Sequence, residues 1–126
     1  MKVFFETLGC PKNFNDTQAA EGVLKEAGFD IVRTPEDSDV IVVNTCGFIN
    51  DAKRESIEKI FHMAEYKKHG KKLIVSGCLS ERYSEELYDE MPEVDCFIGV
   101  NEYENLPGLI SDLANRNGKR IKSVSG

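Results

Sequence analysis

Three of the four cysteines in this chain each follow an apolar run of the kind that forms a buried strand. Cys10 comes after "KVFFETLG", Cys46 after "DVIVVNT" and Cys78 after "KKLIVSG". Thiolates are soft ligands that suit an iron–sulfur cluster or zinc. Free cysteine is also a common buried residue, and separated cysteines indicate a metal less strongly than CxxC pairs do. From the residues alone, a metal site and three buried cysteines near strand ends both remain open.

The elements that must position these cysteines alternate along the chain. Strands are predicted for "KVFFETL", "FDIVR", "DVIVVNT", "KKLIVSG" and "DCFIG". Runs that are apolar throughout are typical of a parallel sheet that is covered on both faces. The pattern therefore predicts an α/β fold, with a five-stranded parallel sheet flanked by helices on both faces in a flavodoxin-like or Rossmann-like three-layer sandwich.

Four helices are predicted between and after the strands. The first runs from about Asp16 to a stop at Gly28, and the second from about Asp51 to Lys68. A third carries Tyr83, Leu87 and Met91, and the last runs from about Leu106 or Pro107 to Asn117. The apolar stripes predicted to face the core are Ala19, Ala20, Val23, Leu24 and Ala27 in the first helix, Ile57, Ile60, Phe61 and Ala64 in the second, and Leu109, Ile110 and Leu113 in the last.

The predicted strand order brings the three cysteines to one edge. The partly polar second strand suits an edge position, which favours the order 2-1-3-4-5. The first, third and fourth strands are then neighbours, and Cys10, Cys46 and Cys78 follow them at the carboxyl edge, where open α/β sheets bind ligands. Adjacent strands lie about 4.8 Å apart, so three strand ends span only about 10 Å. Inward-turning loops could bring the thiols onto one small group.

Neighbouring residues refine this interpretation. Each of the three cysteines has a glycine beside it, and missing side chains let backbone amides approach a ligand; these are Gly9, Gly47 and Gly77. Cys96 lies inside "VDCFIG" and is predicted to be a small buried hydrophobic residue, roughly 10 Å below the strand ends. His62 and His69 are predicted at the surface. The fourth metal position would therefore be open, as it is in reactive sites.

Composition limits the function classes. The 126 residues make one domain, and a net charge of −6 argues against a nucleic-acid surface. No membrane span and no secretory signal are expected, so the cytoplasm is the predicted location. The basic run "RNGKRIK" is interpreted as a solvated tail, with a domain over 1–118 and the start of a linker over 119–126. Asp37 and Asp39 fit a charged loop as well as a phosphorylation pocket.

Four stretches, "GCPKNFNDTQ", "VNTCGFINDAKRESIEKI", "GCLSERY" and "PEVD" with "IG" after it, together resemble the N-terminal domain of the radical-SAM methylthiotransferases. The resemblance covers nearly the whole chain, with three cysteine motifs in the family's order. "GCPKN", "NTCGF" and "ESI" are similar to the branch that modifies an aspartate of a small-subunit ribosomal protein; the tRNA-modifying branch is the alternative. "FNDTQ" departs from the family's usual pattern without touching a cysteine.

The resemblance implies that Cys10, Cys46 and Cys78 ligate an auxiliary [4Fe-4S] cluster whose open iron holds the sulfur to be transferred. It implies partners in the same polypeptide: a radical-SAM domain with a second [4Fe-4S] cluster and S-adenosylmethionine, and a TRAM domain. A ribosomal-protein substrate and a sulfur donor are also expected, without membrane or direct nucleic-acid binding by this domain. By itself the domain is expected to be inactive. A stand-alone flavodoxin-like or receiver module and a zinc-stabilised domain are the other interpretations.

Overall fold

The computed structural model describes residues 1–8, 11–45, 50–66, 71–77, 91–98, 103–115 and 121–124. The strands in this part of the chain are β1 (Lys2–Thr7), β2 (Asp30–Ile31), β3 (Val40–Thr45), β4 (Lys72–Gly77), β5 (Cys96–Ile98) and β6 (Ile121–Val124). They form one sheet in the order β2-β1-β3-β4-β5-β6, and every neighbouring pair is parallel. The predicted order 2-1-3-4-5 is confirmed, and a sixth strand extends the sheet beyond β5.

Three α-helices are described: α1 (Pro11–Glu26), α2 (Asn50–Ala64) and α3 (Leu106–Asn115). Helix α1 begins at Pro11 and not, as predicted, at Asp16. Proline suits the first helical position, because its fixed φ is already helical and the N–H it lacks would have no partner there. The starts of α2 and α3 agree with the prediction. The helix predicted around Tyr83 and Leu87 lies outside the described residues.

The end of α1 is set by a glycine. Gly28 has φ +94°, a conformation that side chains other than glycine rarely adopt. The Gly28 N–H donates to the Lys25 carbonyl over 3.1 Å, and the Phe29 N–H donates to the Leu24 carbonyl over 3.0 Å. This pair of bonds is a Schellman motif, which stops the helix and turns the chain into β2.

The sheet is covered on both faces, as its apolar strands require. Val40 and Val42 of β3 belong to a core cluster with residues of α1 and α3, including Leu24 and Ile110. The alternate residues of the same strand pack into a second cluster around Ile60 of α2. The alternation follows from the period of two in a strand, which sends neighbouring side chains to opposite faces. The predicted three-layer arrangement is confirmed.

Two of the predicted helix stripes need correction. Phe61 is 49% exposed, whereas Met63 is only 4% exposed and packs in the core. The buried stripe of α2 runs through Ile57, Ile60 and Met63, and Phe61 lies about 100° around the helix from Ile60. In α1, the predicted stripe narrows to Ala20 and Leu24 with a half-buried Val23, and both Ala19 and Ala27 are exposed.

Asp37 and Asp39 lie at the amino edge of the sheet, on the side opposite the carboxyl ends of β1, β3 and β4. The Lys2 N–H donates to Asp39 Oδ2 over 2.9 Å, and the Asp39 N–H donates to the Lys2 carbonyl over 2.8 Å. Asp37 accepts a bond of 2.9 Å from the Thr34 hydroxyl. Both carboxylates therefore organise the connection before β3, which favours the charged-loop interpretation over a phosphorylation pocket.

Tyr66, after α2, reaches the same edge and donates a hydrogen bond of 3.2 Å to Glu36 Oε1. Desolvation first, then this hydrogen bond and the charges of Glu36 and Glu65, raise the pKa of the Tyr66 phenol. The folded state therefore holds this proton more tightly than the unfolded chain does. The resulting stability is present below the ordinary tyrosine pKa of about 10 and is lost as pH rises through the raised folded value.

The difference between alkaline ultraviolet titrations of the wild type and Tyr66→Phe is expected to isolate one phenol that ionises above the ordinary value. Glu36→Gln should move that midpoint back towards the ordinary pKa, because it removes the charge that opposes phenolate formation. A difference curve centred at or below the ordinary value would contradict this assignment.

The last strand falls inside the segment 119–126 that was interpreted as a linker. Ile121 pairs with Cys96 and Val124 pairs with Ile98, with a shift of register between them. The strand takes up the outer side of β5, so part of the predicted linker belongs to the sheet. Among the described helices, none has the length and apolar character needed to cross a membrane.

Candidate metal centre

The carboxyl ends of β1, β3 and β4 are adjacent in the sheet, as the sequence predicted. Thr45 and Gly77, which immediately precede Cys46 and Cys78, are register partners on neighbouring strands. The Leu8 N–H, two residues before Cys10, donates to the Asn44 carbonyl over 2.9 Å. Cys10, Cys46 and Cys78 themselves lie outside the described residues, as do Gly9 and Gly47. The structure therefore describes the residues that lead up to the three cysteines along β1, β3 and β4. We call these residues the approaches to the cysteines.

A row of polar side chains crosses the sheet just below these strand ends. Thr7, Asn44 and Ser76 are register partners on β1, β3 and β4. They continue the face whose earlier positions pack against α1 and α3. Asn44 is 1% exposed and Ser76 is fully buried. Three strands thus end in a polar layer, which is buried on β3 and β4 and half-buried on β1 and which we call the polar row.

Helix α1 contributes one more hydroxyl to the polar row. Thr17 is buried, and its Oγ1 lies 2.7 Å from Thr7 Oγ1. The same Thr17 oxygen accepts a hydrogen bond of 3.1 Å from Asn44 Nδ2. One side chain of α1 is therefore bonded to both β1 and β3 at the level where those strands end.

Ser76 differs from its neighbours in the row. Its Oγ is buried and has no hydrogen-bond partner among the residues that the structure describes. A buried hydroxyl without a partner costs free energy, so such groups in native proteins usually serve a ligand, a water molecule or another part of the chain. Ser76 lies two residues before Cys78 and fits a site in which a polar or ionic group is held at this edge.

Thr45 and Gly77 leave no room for a side chain between the ends of β3 and β4. Thr45 is fully buried, and its Oγ1 donates a hydrogen bond of 2.6 Å to the Ser76 carbonyl. Gly77 has φ +98°, and a Cβ on it would lie 2.3 Å from the Thr45 carbonyl oxygen. Only glycine fits this approach. The glycine that the sequence marked beside Cys78 is therefore required by the backbone itself.

Cys96 lies apart from this edge. It is fully buried in β5, within the core cluster that includes Val3 and Ile98, so its predicted role as a small buried hydrophobic residue is confirmed. Its register partner is Ile74, two residues, or about 7 Å, before Ser76 along the strand.

Replacing Cys96 by alanine is expected to lower the free energy of unfolding by only about 1 kcal/mol, because it removes one small buried atom. Denaturant unfolding of the metal-free domain measures this loss. Any metal that the wild type takes up on reconstitution should be taken up equally by this variant. A loss of several kcal/mol, or of metal uptake, would show that the thiol does more than fill the core.

The histidines contribute no ligand that the structure describes. His62 is exposed on α2, and its ring centroid lies 6.3 Å from that of Tyr66. His69 lies outside the described residues. Within the described ranges, no three side chains of His, Cys, Asp or Glu come together as a metal-binding group.

The sequence singled out three cysteines and the glycines beside them but not Thr7, Thr17 or Ser76. The available signal for the polar row was the change from apolar to polar residues at the end of each run, in "VVNT" and "IVSG". The contribution of Thr17 depends on how α1 lies against the sheet, which no local pattern encodes.

An open parallel α/β sheet with a buried polar row below three cysteine-bearing connections defines the class of domain. Residues 2–99 match the family described as "Uncharacterized protein family UPF0004", and the chain belongs to this family. The resemblance to the N-terminal domain of the methylthiotransferases is thereby confirmed, and of the two branches the one named for a ribosomal protein is favoured.

Several relatives share the name ribosomal protein uS12 methylthiotransferase RimO. The chain is 56% identical over 114 residues to the protein of this name from Caldicellulosiruptor saccharolyticus, and this alignment covers 90% of the chain and 26% of that protein. Proteins of the same name from Anaeromyxobacter sp. strain K and Lachnoclostridium phytofermentans are 49% and 46% identical, covering 88% and 98% of this chain and 24% and 28% of theirs. The chain thus spans about a quarter of the length of these relatives.

Proposed function

We propose that this domain binds a [4Fe-4S] cluster through Cys10, Cys46 and Cys78 and belongs to an enzyme that methylthiolates a ribosomal protein. The observation that carries the proposal is the convergence of the three approaches. Thr45 and Gly77 are register partners, and Leu8 is bonded to Asn44. Three thiols that leave adjacent strands at the carboxyl edge suit one small group rather than three separate functions.

The residues around this edge fit such a group. Thiolates are the ligands that iron–sulfur clusters take in proteins. The buried Ser76 hydroxyl has no described partner, and Gly77 keeps side-chain atoms away from the end of β4. The polar row lies between the carboxyl edge of the sheet and the apolar core, and so separates the two. When bound through three cysteines, the cluster would supply one open iron able to hold a transferable sulfur.

The names of the relatives support the finer assignment. They are ribosomal protein uS12 methylthiotransferases about four times as long as this chain. We infer that the complete protein adds a radical-SAM domain, with a second [4Fe-4S] cluster and S-adenosylmethionine, and a TRAM domain. The substrate is an aspartate of the ribosomal protein, and a separate donor supplies sulfur. The net charge of −6 is compatible with a basic protein substrate, and the cytoplasm keeps the thiols reduced.

Anaerobic reconstitution of the domain with iron and sulfide tests the cluster. A brown protein with a broad charge-transfer band and about four irons supports the proposal. A colourless protein that retains one zinc ion, or one that takes up flavin, would end it. For the substrate, the complete protein is incubated with the ribosomal protein and with tRNA in parallel. Methylthiolation of tRNA alone would favour the tRNA-modifying branch.

A further inference from the structure

Asn44 occupies a central position among the three cysteine approaches. It lies on β3, two residues before Cys46, and it is 1% exposed. Its backbone carbonyl accepts the Leu8 N–H over 2.9 Å, which fixes the end of β1 two residues before Cys10. The backbone of Asn44 therefore already connects two of the three approaches.

The side chain of Asn44 extends these connections. Nδ2 donates to Thr17 Oγ1 over 3.1 Å, and Thr17 belongs to the helix that begins at Pro11, directly after Cys10. On its other side, Oδ1 lies 2.7 Å from the position that a Cβ on Gly77 would occupy. Gly77 immediately precedes Cys78. A single amide is thus bonded to α1 on one side and lies beside the end of β4 on the other.

We propose that Asn44 is a positioning residue that holds the approaches to all three cysteines at the spacing one ligand requires. This inference rests on the proposed ligand set. The amide is suited to the position because one end donates to Thr17 and the other presents a small, flat oxygen to Gly77. Alanine would lose the bond to Thr17 and would leave the space beside Gly77 unfilled. Residues that orient ligands in this way are typically worth about 10- to 100-fold in affinity.

Trivalent arsenic provides a probe of thiol spacing that is independent of iron. Arsenous acid condenses with three thiols to form three As–S bonds and releases three water molecules, without any change of oxidation state. The reduced, iron-free domain is titrated anaerobically with arsenite, and the thiols that remain free are counted with a thiol reagent. One arsenic should protect three of the four cysteines, and the arsenic affinity then reports whether the three thiols meet.

Asn44→Ala is expected to weaken arsenic binding by about 10-fold or more. Thr17→Val keeps Asn44 and the shape of the helix residue but removes the acceptor for Nδ2, so it should also weaken binding. Because the two residues share one hydrogen bond, the effects of the two substitutions should not add in full, and any further weakening in the double variant should be no larger than the effect of losing the bond between Thr17 and Thr7. Thr17→Val decides the question if Asn44→Ala does not fold.

Asp95→Ala is the matched control. Asp95 is another buried polar residue, directly before β5, and its Oδ2 accepts the Leu73 N–H over 2.7 Å near the amino edge of the sheet. This variant should unfold at a lower temperature but bind arsenic like the wild type. An arsenic affinity unchanged in Asn44→Ala or Thr17→Val, or lowered equally in Asp95→Ala, would overturn the assignment.

The wild type separates this inference from the proposed function. A wild type that protects three thiols with one arsenic but never takes up a cluster would sink the proposed function and leave the role of Asn44 intact. A wild type in which one arsenic does not protect three thiols would overturn the positioning role as well, because there would be no common site for Asn44 to organise.

Discussion

A domain in which Cys46 is replaced by serine should lose most of its iron after anaerobic reconstitution and desalting. The proposed cluster has three protein ligands, so each substitution removes a third of its attachment, and a serine hydroxyl is a poor substitute for a thiolate. Cys10→Ser and Cys78→Ser should behave alike. Iron and acid-labile sulfide per protein chain, together with the charge-transfer absorption, measure the result. In the complete enzyme, methylthiolation should disappear while cleavage of S-adenosylmethionine continues.

Cys96→Ala provides the control for this series. It changes the cysteine count by the same number but lies in the core, level with Ile74. If it lost iron as severely as Cys46→Ser, the cluster would have a fourth protein ligand and no open iron. Full iron retention by all three serine variants would instead contradict the proposal that a cluster binds at this edge.

Gly77→Ala is expected to destabilise the iron-free domain by about 3 kcal/mol or more. Two costs add. The residue has φ +98°, which an alanine tolerates poorly, and the new Cβ would lie 2.3 Å from the Thr45 carbonyl oxygen and 2.7 Å from Asn44 Oδ1. Backbone atoms of a central strand cannot move aside without breaking the pairing of β3 with β4. Denaturant unfolding measures the loss, and iron uptake should fall as well.

Gly28→Ala separates the two costs. Gly28 has a similar φ, +94°, but an added Cβ there meets no atom within 4 Å. Its substitution should cost only the conformational part, about 1–2 kcal/mol. Equal losses in the two variants would show that the close approach of β4 to Thr45 adds nothing, and that the tight junction described at this edge relaxes easily.

The sheet was predictable because its central strands are unambiguous. The runs that form β3 and β4 are apolar throughout, and burial on both faces is the usual reason for such runs. The start of α1 and the buried face of α2 were harder to predict from the sequence. Pro11 suits a loop as well as the first position of a helix, so Asp16 stood out as the more familiar start. Phe61 and Met63 are both apolar and flank Ile60, and only the packing of α2 on the sheet decides which is buried.

The candidate site, too, was predictable only in part. That three cysteines follow neighbouring strands could be inferred once the strand order was known. The polar row could not, because it depends on the register between strands more than thirty residues apart, which places Thr7, Asn44 and Ser76 on one line. The contribution of Thr17 depends on the angle at which α1 crosses that line. These are tertiary relationships, and no local pattern in the sequence carries them.

The sixth strand matters for how the domain can be prepared. β5 has three residues and pairs with β4 on one side and with β6 on the other. A chain cut at residue 118, where the sequence suggested a boundary, would leave the outer N–H and C=O groups of β5 without strand partners. Exposed strand edges of this kind recruit strands from other molecules. Retaining residues 121–124 is therefore expected to protect the domain from self-association, because β6 pairs with the edge of β5 that would otherwise be exposed.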